Sequence, residues 1–179
     1  AGRPDPRRPR RMPTSDAVAF LKTVSVFKDL AEPHLVALAL RLRERALKKG
    51  EVLFREGDRG DELYLIREGI VVISKPVLGR VEQVLARMGP GDFFGEMSLF
   101  DQAPRSATVQ AETNALLLCL DRESLQQFIE ISPRAAAAFF FQMVQVFTAR
   151  LRESGNLVAE VTRWGLEATG LDFETKPSR

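Results

Sequence analysis

Residues 56–69 read EGDRGDELYLIREG, and this stretch decides the fold class. Its apolar run at 63–66 has the length and the aromatic and β-branched content of a strand. Glycines lie on both sides of the run, at Gly57, Gly60 and Gly69. We expect these glycines in turns, where they supply backbone angles that other residues resist. The stretch therefore predicts a strand of an antiparallel sheet between two tight turns.

The same pattern extends in both directions, from Glu51 to Leu120. Short apolar runs alternate with glycine-containing turns such as 89–92 (GPGD), where Gly91 is the expected turn residue. Several short strands at this spacing predict an antiparallel β-barrel of the jelly-roll type. The predicted strand runs are VLF (52–54), LYLI (63–66), IVVIS (70–74), QVLARM (83–88), SATVQA (106–111) and ALLLCL (115–120).

Helical spacing replaces this pattern before and after the strands. Ser15 or Asp16 is expected to cap a first short helix, and Asp121 to cap the helix after the last strand. The predicted class is α+β, an antiparallel barrel (jelly roll) flanked by N-terminal helices and a long C-terminal helix. The other expected helices cover 33–45, 122–130 and 133–163, in a folded domain at 15–163 between a disordered basic tail at 1–14 and a C-terminal tail at 164–179.

Composition describes an ordinary globular chain with an uneven charge. The 179 residues are 45% hydrophobic and 28% charged, and the longest apolar stretch, 135–147, is too short to span a membrane. Residues 1–13 hold five arginines and one aspartate, so the rest has a charge of about −2 although the whole chain has +2. We therefore expect no broad basic surface for nucleic acid and no membrane partner. The single cysteine, Cys119, predicts a buried strand residue and a reducing, cytoplasmic location.

Residues 94–109, FGEMSLFDQAPRSATV, combine the residue types that a phosphate requires. Gly95 permits close approach of the backbone, and the residues from Glu96 onward can form a helical turn whose free N–H groups favour an anion. Arg105 follows nine residues after Glu96, behind a proline that limits its direction. A planar guanidinium that faces those N–H groups suits a phosphate. Glu96 must then point elsewhere, where its carboxylate can accept hydrogen bonds from ribose hydroxyls.

This segment resembles the phosphate-binding cassette of the cyclic-nucleotide-binding domain family, which includes kinase regulatory subunits, gated channels and bacterial catabolite activators. The run at 56–69 also looks like the barrel signature of that family, and the resemblance covers roughly 15–163. It implies that Arg105 binds the cyclic phosphate and that Glu96 binds the ribose 2′-hydroxyl. The implied function is a regulatory sensor for cAMP or cGMP that acts through its C-terminal helix. The implied ligand-binding residues are Phe94, Gly95, Glu96, Met97, Ser98, Pro104, Arg105, Ser106, Ala107 and Arg150.

Arg150 is included because of the nucleotide base. A gap-free match to the catabolite activators, counted from Arg105, places it where the family has an adenine-contacting residue, a threonine there. A guanidinium can stack on either purine, or donate two hydrogen bonds to guanine O6 and N7. The alternative is that Arg150 pairs with an acidic neighbour such as Glu153.

The long helix carries an apolar seam of period 3.5, which is typical of a two-helix interface. It predicts a homodimer through 140–161, and the alternative is packing of the same stripe on the chain's own barrel. Only sixteen residues follow Arg163, too few for the helix-turn-helix of an activator. We therefore expect no specific DNA binding, and a downstream protein partner that the sequence does not name. The seam consists of Phe140, Val144, Phe147, Leu151, Ser154, Val158 and Val161.

Three other interpretations are considered. In the first, Glu96 pairs with Arg105, the cassette is scaffolding, and the chain is a ligand-free dimerisation or interaction module. In the second, the chain is the sensory half of a transcription regulator without its DNA-binding domain. The third, a cupin-type metal enzyme, needs two or three histidines with a carboxylate, whereas the chain has one histidine, His34. We therefore expect no metal and no catalytic activity.

Overall fold

The glycine-punctuated region forms short strands. In the residues that the computed structural model describes, 12–77, 82–101 and 103–169, there are eight strands. They are β1 (Arg43–Leu47), β2 (Val52–Phe54), β3 (Glu62–Glu68), β4 (Val71–Pro76), β5 (Glu82–Met88), β6 (Phe93–Phe94), β7 (Thr108–Ala111) and β8 (Ala115–Asp121).

These strands form two antiparallel sheets, each four-stranded, in the orders β1-β8-β3-β6 and β2-β7-β4-β5. One apolar cluster takes Tyr64 and Leu117 from the first sheet and Val71 and Val109 from the second, so the sheets share a core. The predicted α+β class with antiparallel strands is confirmed. The predicted barrel is corrected, because strand pairing does not close the two sheets into one within the described residues. The edge strands β2 and β6 have three and two residues, too few to hydrogen-bond one sheet to the other.

Each predicted strand run overlaps a strand of the structure, although Ile70 and residues 106–107 lie outside the strands. β1 and β6 were not predicted. β1 begins at Arg43, inside the helix that the sequence predicts over 33–45, so that helix prediction is wrong in its second half. Pairing with β8 holds β1 in place, from Arg43 opposite Cys119 to Leu47 opposite Ala115. A contact with a strand distant in sequence thus overrides the local helical pattern.

The described residues also contain five helices. Asp121 caps α4 as predicted, since its Oδ1 accepts a hydrogen bond from the Ser124 amide at 2.7 Å. The predicted cap at Ser15 or Asp16 is wrong, because the first helix already begins after Pro13 and both residues lie in its first turn. The helices are α1 (Thr14–Leu21), α2 (Glu32–Ala39), α3 (Met97–Asp101), α4 (Arg122–Ile131) and α5 (Pro133–Thr169).

The long helix α5 ends at Thr169, past its predicted end at Arg163. The predicted tail at 164–179 is therefore helical in its first residues, and the rest of it lies outside the described residues. Gly165 within the helix costs about 1 kcal/mol relative to alanine, which is too little to end a helix of this length. The predicted disordered tail at 1–14 lies outside the described residues up to Arg11.

The chain divides into two compact units, Ala1–Phe139 and Phe140–Arg179. The first contains both sheets and their core. In this unit, the imidazole Nδ1 of His34 on α2 lies 3.0 Å from the hydroxyl of Ser132, the residue between α4 and α5. His34 is thus a helix-packing residue, in contact from α2 with the segment between α4 and α5. Among the described residues, no helix combines the length and apolar character needed to cross a membrane.

Candidate functional site

Arg105 lies buried at the entry to β7, with 4% of its surface exposed. The turn between β2 and β3 fixes its main chain on both sides. The Arg105 amide donates to the Asp58 carbonyl at 2.8 Å, and the Arg105 carbonyl accepts from the Gly57 amide at 2.9 Å. The glycine-rich turn predicted from 56–69 therefore sets where this side chain starts.

The Arg105 guanidinium is held by neutral groups. Its Nη1 donates to the main-chain carbonyls of Glu62 at 2.9 Å and Gly95 at 3.0 Å. Its Cζ lies 4.2 Å from the centroid of the Phe54 ring and 5.5 Å from that of Tyr64. Because carbonyls and rings carry no net charge, these contacts orient the positive charge without neutralising it. Such an arginine is suited to bind an anion.

Two glycines make room for the guanidinium. A Cβ built on Gly60 would lie 2.7 Å from Arg105 Cζ, and one built on Gly95 would lie 2.8 Å from Arg105 Nη1. Gly95 also has φ +79°, as expected for a glycine at a close backbone approach. Gly60 does not have a positive φ, unlike the other glycines of the predicted turns. The prediction that Gly60 is needed for its backbone angle is therefore wrong, because it is the missing side chain that the site requires.

An aromatic platform supports the arginine from below. Tyr64 stacks on Phe94 with ring centroids 5.3 Å apart, and Phe54 lies 5.8 Å from Tyr64. Phe94 was among the predicted site residues, whereas Phe54 and Tyr64 were missed. Their aromatic character within predicted strands was the available signal, but it does not show that the three rings meet, because they lie on three different strands.

The structure brings the other cassette residues to the same place. Glu96 is buried at 7% exposure just before α3, and its carbonyl accepts from the Leu99 amide at 3.0 Å. The Ser106 hydroxyl lies 3.9 Å from the Met97 sulfur, which joins the two ends of the cassette. Ser98 and Ala107 are buried, whereas Met97, Pro104 and Ser106 are exposed.

Arg150 belongs to the second compact unit, on α5. Its predicted role at the nucleotide base stays a prediction.

A polar cluster, formed by Arg43, Glu62, Tyr64 and Asp121, lies beside the arginine. The Tyr64 hydroxyl donates to Glu62 Oε2 at 2.6 Å, and Arg43 Nη2 donates to Glu62 Oε1 at 2.8 Å and to Asp121 Oδ2 at 2.9 Å. Burial, and then the hydrogen bond to Glu62, raise the pKa of Tyr64 above its usual value, so the phenol stays a donor. No local sequence pattern indicates this cluster, because its members come from three different strands.

One carboxyl group of this cluster, that of Asp121, and the nearby thiol of Cys119 have shifted pKa values. Burial disfavours the charged form of Asp121, but the hydrogen bonds from Ser124 and the charge of Arg43 outweigh it and hold the Asp121 pKa below its usual value. Burial, followed by the charge of Glu62, raises the pKa of Cys119 to about 12. Cys119 is thus the buried, unreactive strand residue that the sequence predicts.

In the described part of the chain, no group of three or more histidine, cysteine, aspartate or glutamate side chains is arranged to hold a metal ion.

The chain is similar to known proteins over most of its length. Residues 44–132 match the family model described as the cyclic nucleotide-binding domain. The chain is 31% identical to the CRP-like cAMP-activated global transcriptional regulator of Mycobacterium tuberculosis over 142 residues, which are 79% of this chain and 62% of that protein. The chain thus spans less than two thirds of the length of this relative.

Two solved structures show the same fold. The N-terminal domain of a transcriptional regulator from Streptomyces coelicolor is 34% identical, with a TM-score of 0.67 over 78% of this chain and 94% of that one. The regulatory domain of Toxoplasma gondii PKA, solved with cAMP, is 25% identical, with a TM-score of 0.66 over 75% of this chain and 50% of that one. The domain that these proteins share with this chain is a regulatory one.

Proposed function

Because the chain belongs to the cyclic-nucleotide-binding domain family, we propose that it is a sensor that binds a 3′,5′-cyclic nucleotide with the phosphate at Arg105. One observation carries the proposal: a guanidinium that is 4% exposed has its described hydrogen bonds to neutral carbonyls. A buried cation is costly unless a negative charge compensates it. The singly charged cyclic phosphate supplies that charge.

The buried Glu96 is the proposed acceptor for the ribose 2′-hydroxyl. It lies directly after Gly95, whose main-chain carbonyl accepts a hydrogen bond from Arg105 at 3.0 Å, at the start of the cassette. The scaffold interpretation, in which Glu96 neutralises Arg105, predicts instead that neither cyclic nucleotide binds. The Ser106 hydroxyl, exposed at the other end of the cassette, is the proposed neighbour of phosphate and base.

We propose cAMP as the first ligand to test and cGMP as the second. Two of the matched proteins are associated with cAMP by name: the mycobacterial regulator is described as cAMP-activated, and the Toxoplasma regulatory domain was crystallised with cAMP. cGMP stays a candidate ligand because of Arg150, since a guanidinium can donate hydrogen bonds to the O6 and N7 edge of guanine. The proposed function contains no catalytic step.

The proposed output is a homodimer through the later part of α5. Val144, Leu151 and Val158 recur every seven residues on this helix and are 59%, 74% and 65% exposed. Apolar side chains at heptad spacing favour a second helix of the same kind as their partner. We further propose a cytoplasmic location, which the buried thiol of Cys119 and the resemblance to a transcriptional regulator support.

Titration calorimetry on the full chain tests the ligand proposal. We expect cAMP or cGMP to bind with one site per chain, and 5′-AMP, which has the same base but no cyclic phosphate, to bind far more weakly. Ligand at a hundred times its Kd raises the free energy of unfolding by about 2.7 kcal/mol, which thermal unfolding detects. No heat and no thermal shift with either cyclic nucleotide at millimolar concentration contradicts the proposal.

A further inference from the structure

The cluster of Arg43, Glu62, Tyr64 and Asp121 closes the end of the first sheet. Glu62 is the first residue of β3, Asp121 the last of β8 and Arg43 the first of β1. Because β8 lies between β1 and β3, the Arg43 side chain reaches across the middle strand to Glu62. It also binds Asp121 on that strand. We call this three-strand contact of Arg43, Glu62 and Asp121 the strand-end clamp.

Register places the clamp on the same face as the aromatic platform. Arg43 pairs with Cys119, and Cys119 pairs with Tyr64, so the three form one row across the sheet. Glu62 and Asp121 form the next row, two residues along each strand, and side chains two apart point to the same face. The clamp is therefore continuous with the surface on which Arg105 rests.

Glu62 connects the clamp to Arg105 in two ways. Its carbonyl accepts from Arg105 Nη1 at 2.9 Å, and its carboxylate accepts from the Tyr64 hydroxyl at 2.6 Å, so it orients both the guanidinium and a ring beneath it. Strand ends are where sheets open most readily. If the first pair of β3 and β8 frays, the carbonyl that aims Arg105 moves with it.

We infer that the strand-end clamp positions Arg105, so that Arg43 is a positioning residue for the phosphate although it does not itself contact Arg105. The inference rests on the proposed function. The Arg43 side chain is 56% exposed, and exposed ion pairs add little to the free energy of unfolding, so Arg43 contributes little to stability. The clamp therefore serves the geometry of the site more than the stability of the fold.

The clamp also joins the site to α4. Asp121 caps this helix through the Ser124 amide, and the next residue, Arg122, donates to the Ser98 carbonyl in α3. A change at Arg105 is thus connected to the first turn of α4 through Glu62, Arg43 and Asp121.

The test measures the affinity of the full chain for cAMP and cGMP by calorimetry. Arg43→Met should weaken binding by about 3- to 30-fold, the range for residues that act through a network. Arg45→Met is the matched control, because Arg45 lies on the same strand and its side chain is 53% exposed. Among the described residues, its ion pair is a long one, 4.0 Å from Arg45 Nη2 to Glu51 Oε1, outside the clamp. The control should bind like the wild type, and Arg43→Lys should restore most of the affinity.

A double-mutant cycle separates positioning from general loosening. Glu62→Gln has nearly the shape of the native side chain and should weaken binding to a similar extent. Adding Arg43→Met to it should then have little further effect, because both remove the same contact. Thermal unfolding tests whether each variant is folded. If Arg43→Met is unfolded, the affinity of Glu62→Gln is compared with that of Arg45→Met instead.

Equal affinities of Arg43→Met and Arg45→Met, or fully additive losses in the double variant, overturn the inference while leaving the proposed function intact. If the wild type binds neither cyclic nucleotide, the proposed function fails and the inference with it. The two failures are therefore distinguishable in one set of titrations.

Discussion

The guanidinium carbon of Arg105 lies 4.2 Å above the ring of Phe54. Cation–π contacts contribute about 2 kcal/mol when both groups are desolvated, and this arginine is buried. The ring covers one face of the guanidinium, while the two carbonyl acceptors fix Nη1 in its plane. The orientation of the positive charge is thus determined before any ligand arrives, which lowers the cost of binding.

The first prediction concerns Arg105 itself. Arg105→Ala should weaken cyclic-nucleotide binding by about 3–5 kcal/mol, which raises Kd by two to four decades, because it removes the partner of a buried charge. Arg59→Ala is the control, since it removes the same charge from an exposed side chain of the neighbouring turn. Calorimetry measures both, and an Arg105→Ala variant with wild-type affinity would exclude this residue from the phosphate site.

Gly60→Ala should damage binding more than folding. The new Cβ would lie 2.7 Å from Arg105 Cζ, so the guanidinium must move off its carbonyl acceptors. Overpacking costs about 1–3 kcal/mol, which we expect mainly as lost affinity. Gly89→Ala is the control, because a Cβ there meets nothing within 4 Å and the residue does not have a positive φ. If both variants bind alike, the contact between residues 60 and 105 is unimportant.

The dimer prediction uses two exposed residues one heptad apart. Leu151→Glu combined with Val158→Glu should give a folded monomer, because two charges on each helix would face their own copies across the seam. Arg152→Glu with Ala159→Glu, one residue further along and also exposed, is the control and should stay dimeric. Light scattering decides, and a monomeric wild type at high concentration would show that the seam is not an interface between copies.

Asp121 should make the stability depend on acid pH. Its pKa is lower in the folded than in the unfolded chain, so the carboxylate stabilises the fold above the unfolded value, about 3.9, and this stabilisation disappears as the pH falls through the folded value. Asp121→Asn should therefore lower Tm most near neutral pH, with a difference that shrinks below about pH 4. A difference in Tm that stays constant from neutral to acid pH would show that ionisation of Asp121 is irrelevant to stability.

Arg150 determines the last prediction. If it reads the guanine edge, Arg150→Ala should weaken cGMP binding by about 1–3 kcal/mol and cAMP binding by less. If it only stacks on the base, both nucleotides should lose affinity alike. Unchanged affinities for both in parallel titrations would remove Arg150 from the site.

The strands and the cassette could be predicted from sequence because their signals are local. Glycine turns at Gly57 and Gly69 delimit β3, and a glycine, a glutamate and a Pro-Arg pair at fixed spacing indicate the proposed phosphate site. β1 could not be predicted in this way, because its register comes from β8, more than sixty residues away. The role of Gly60 also escaped, since its contact with Arg105 exists only after the turn has packed against β7.

The polar cluster was missed for a related reason. Glu62 and Arg43 read as ordinary exposed charges at strand ends, and sequence spacing does not show that Arg43 crosses β8 to reach Glu62. Only the strand order β1-β8-β3 brings the two together. The motif thus identifies the proposed ligand-binding groups, whereas sheet order identifies the groups proposed to position them.

The contact between Gly60 and Arg105 should tie the two positions together in evolution. A Cβ at residue 60 would lie 2.7 Å from Arg105 Cζ, so we expect selection for the proposed ligand binding to keep that position free of a side chain while the arginine stays. A lineage that abandons its ligand and replaces the arginine by a smaller residue releases residue 60 from this constraint. We therefore expect substitutions to accumulate at residue 60 after the loss of Arg105 and rarely before it, which makes a side chain at that position a record of a sensor that no longer senses.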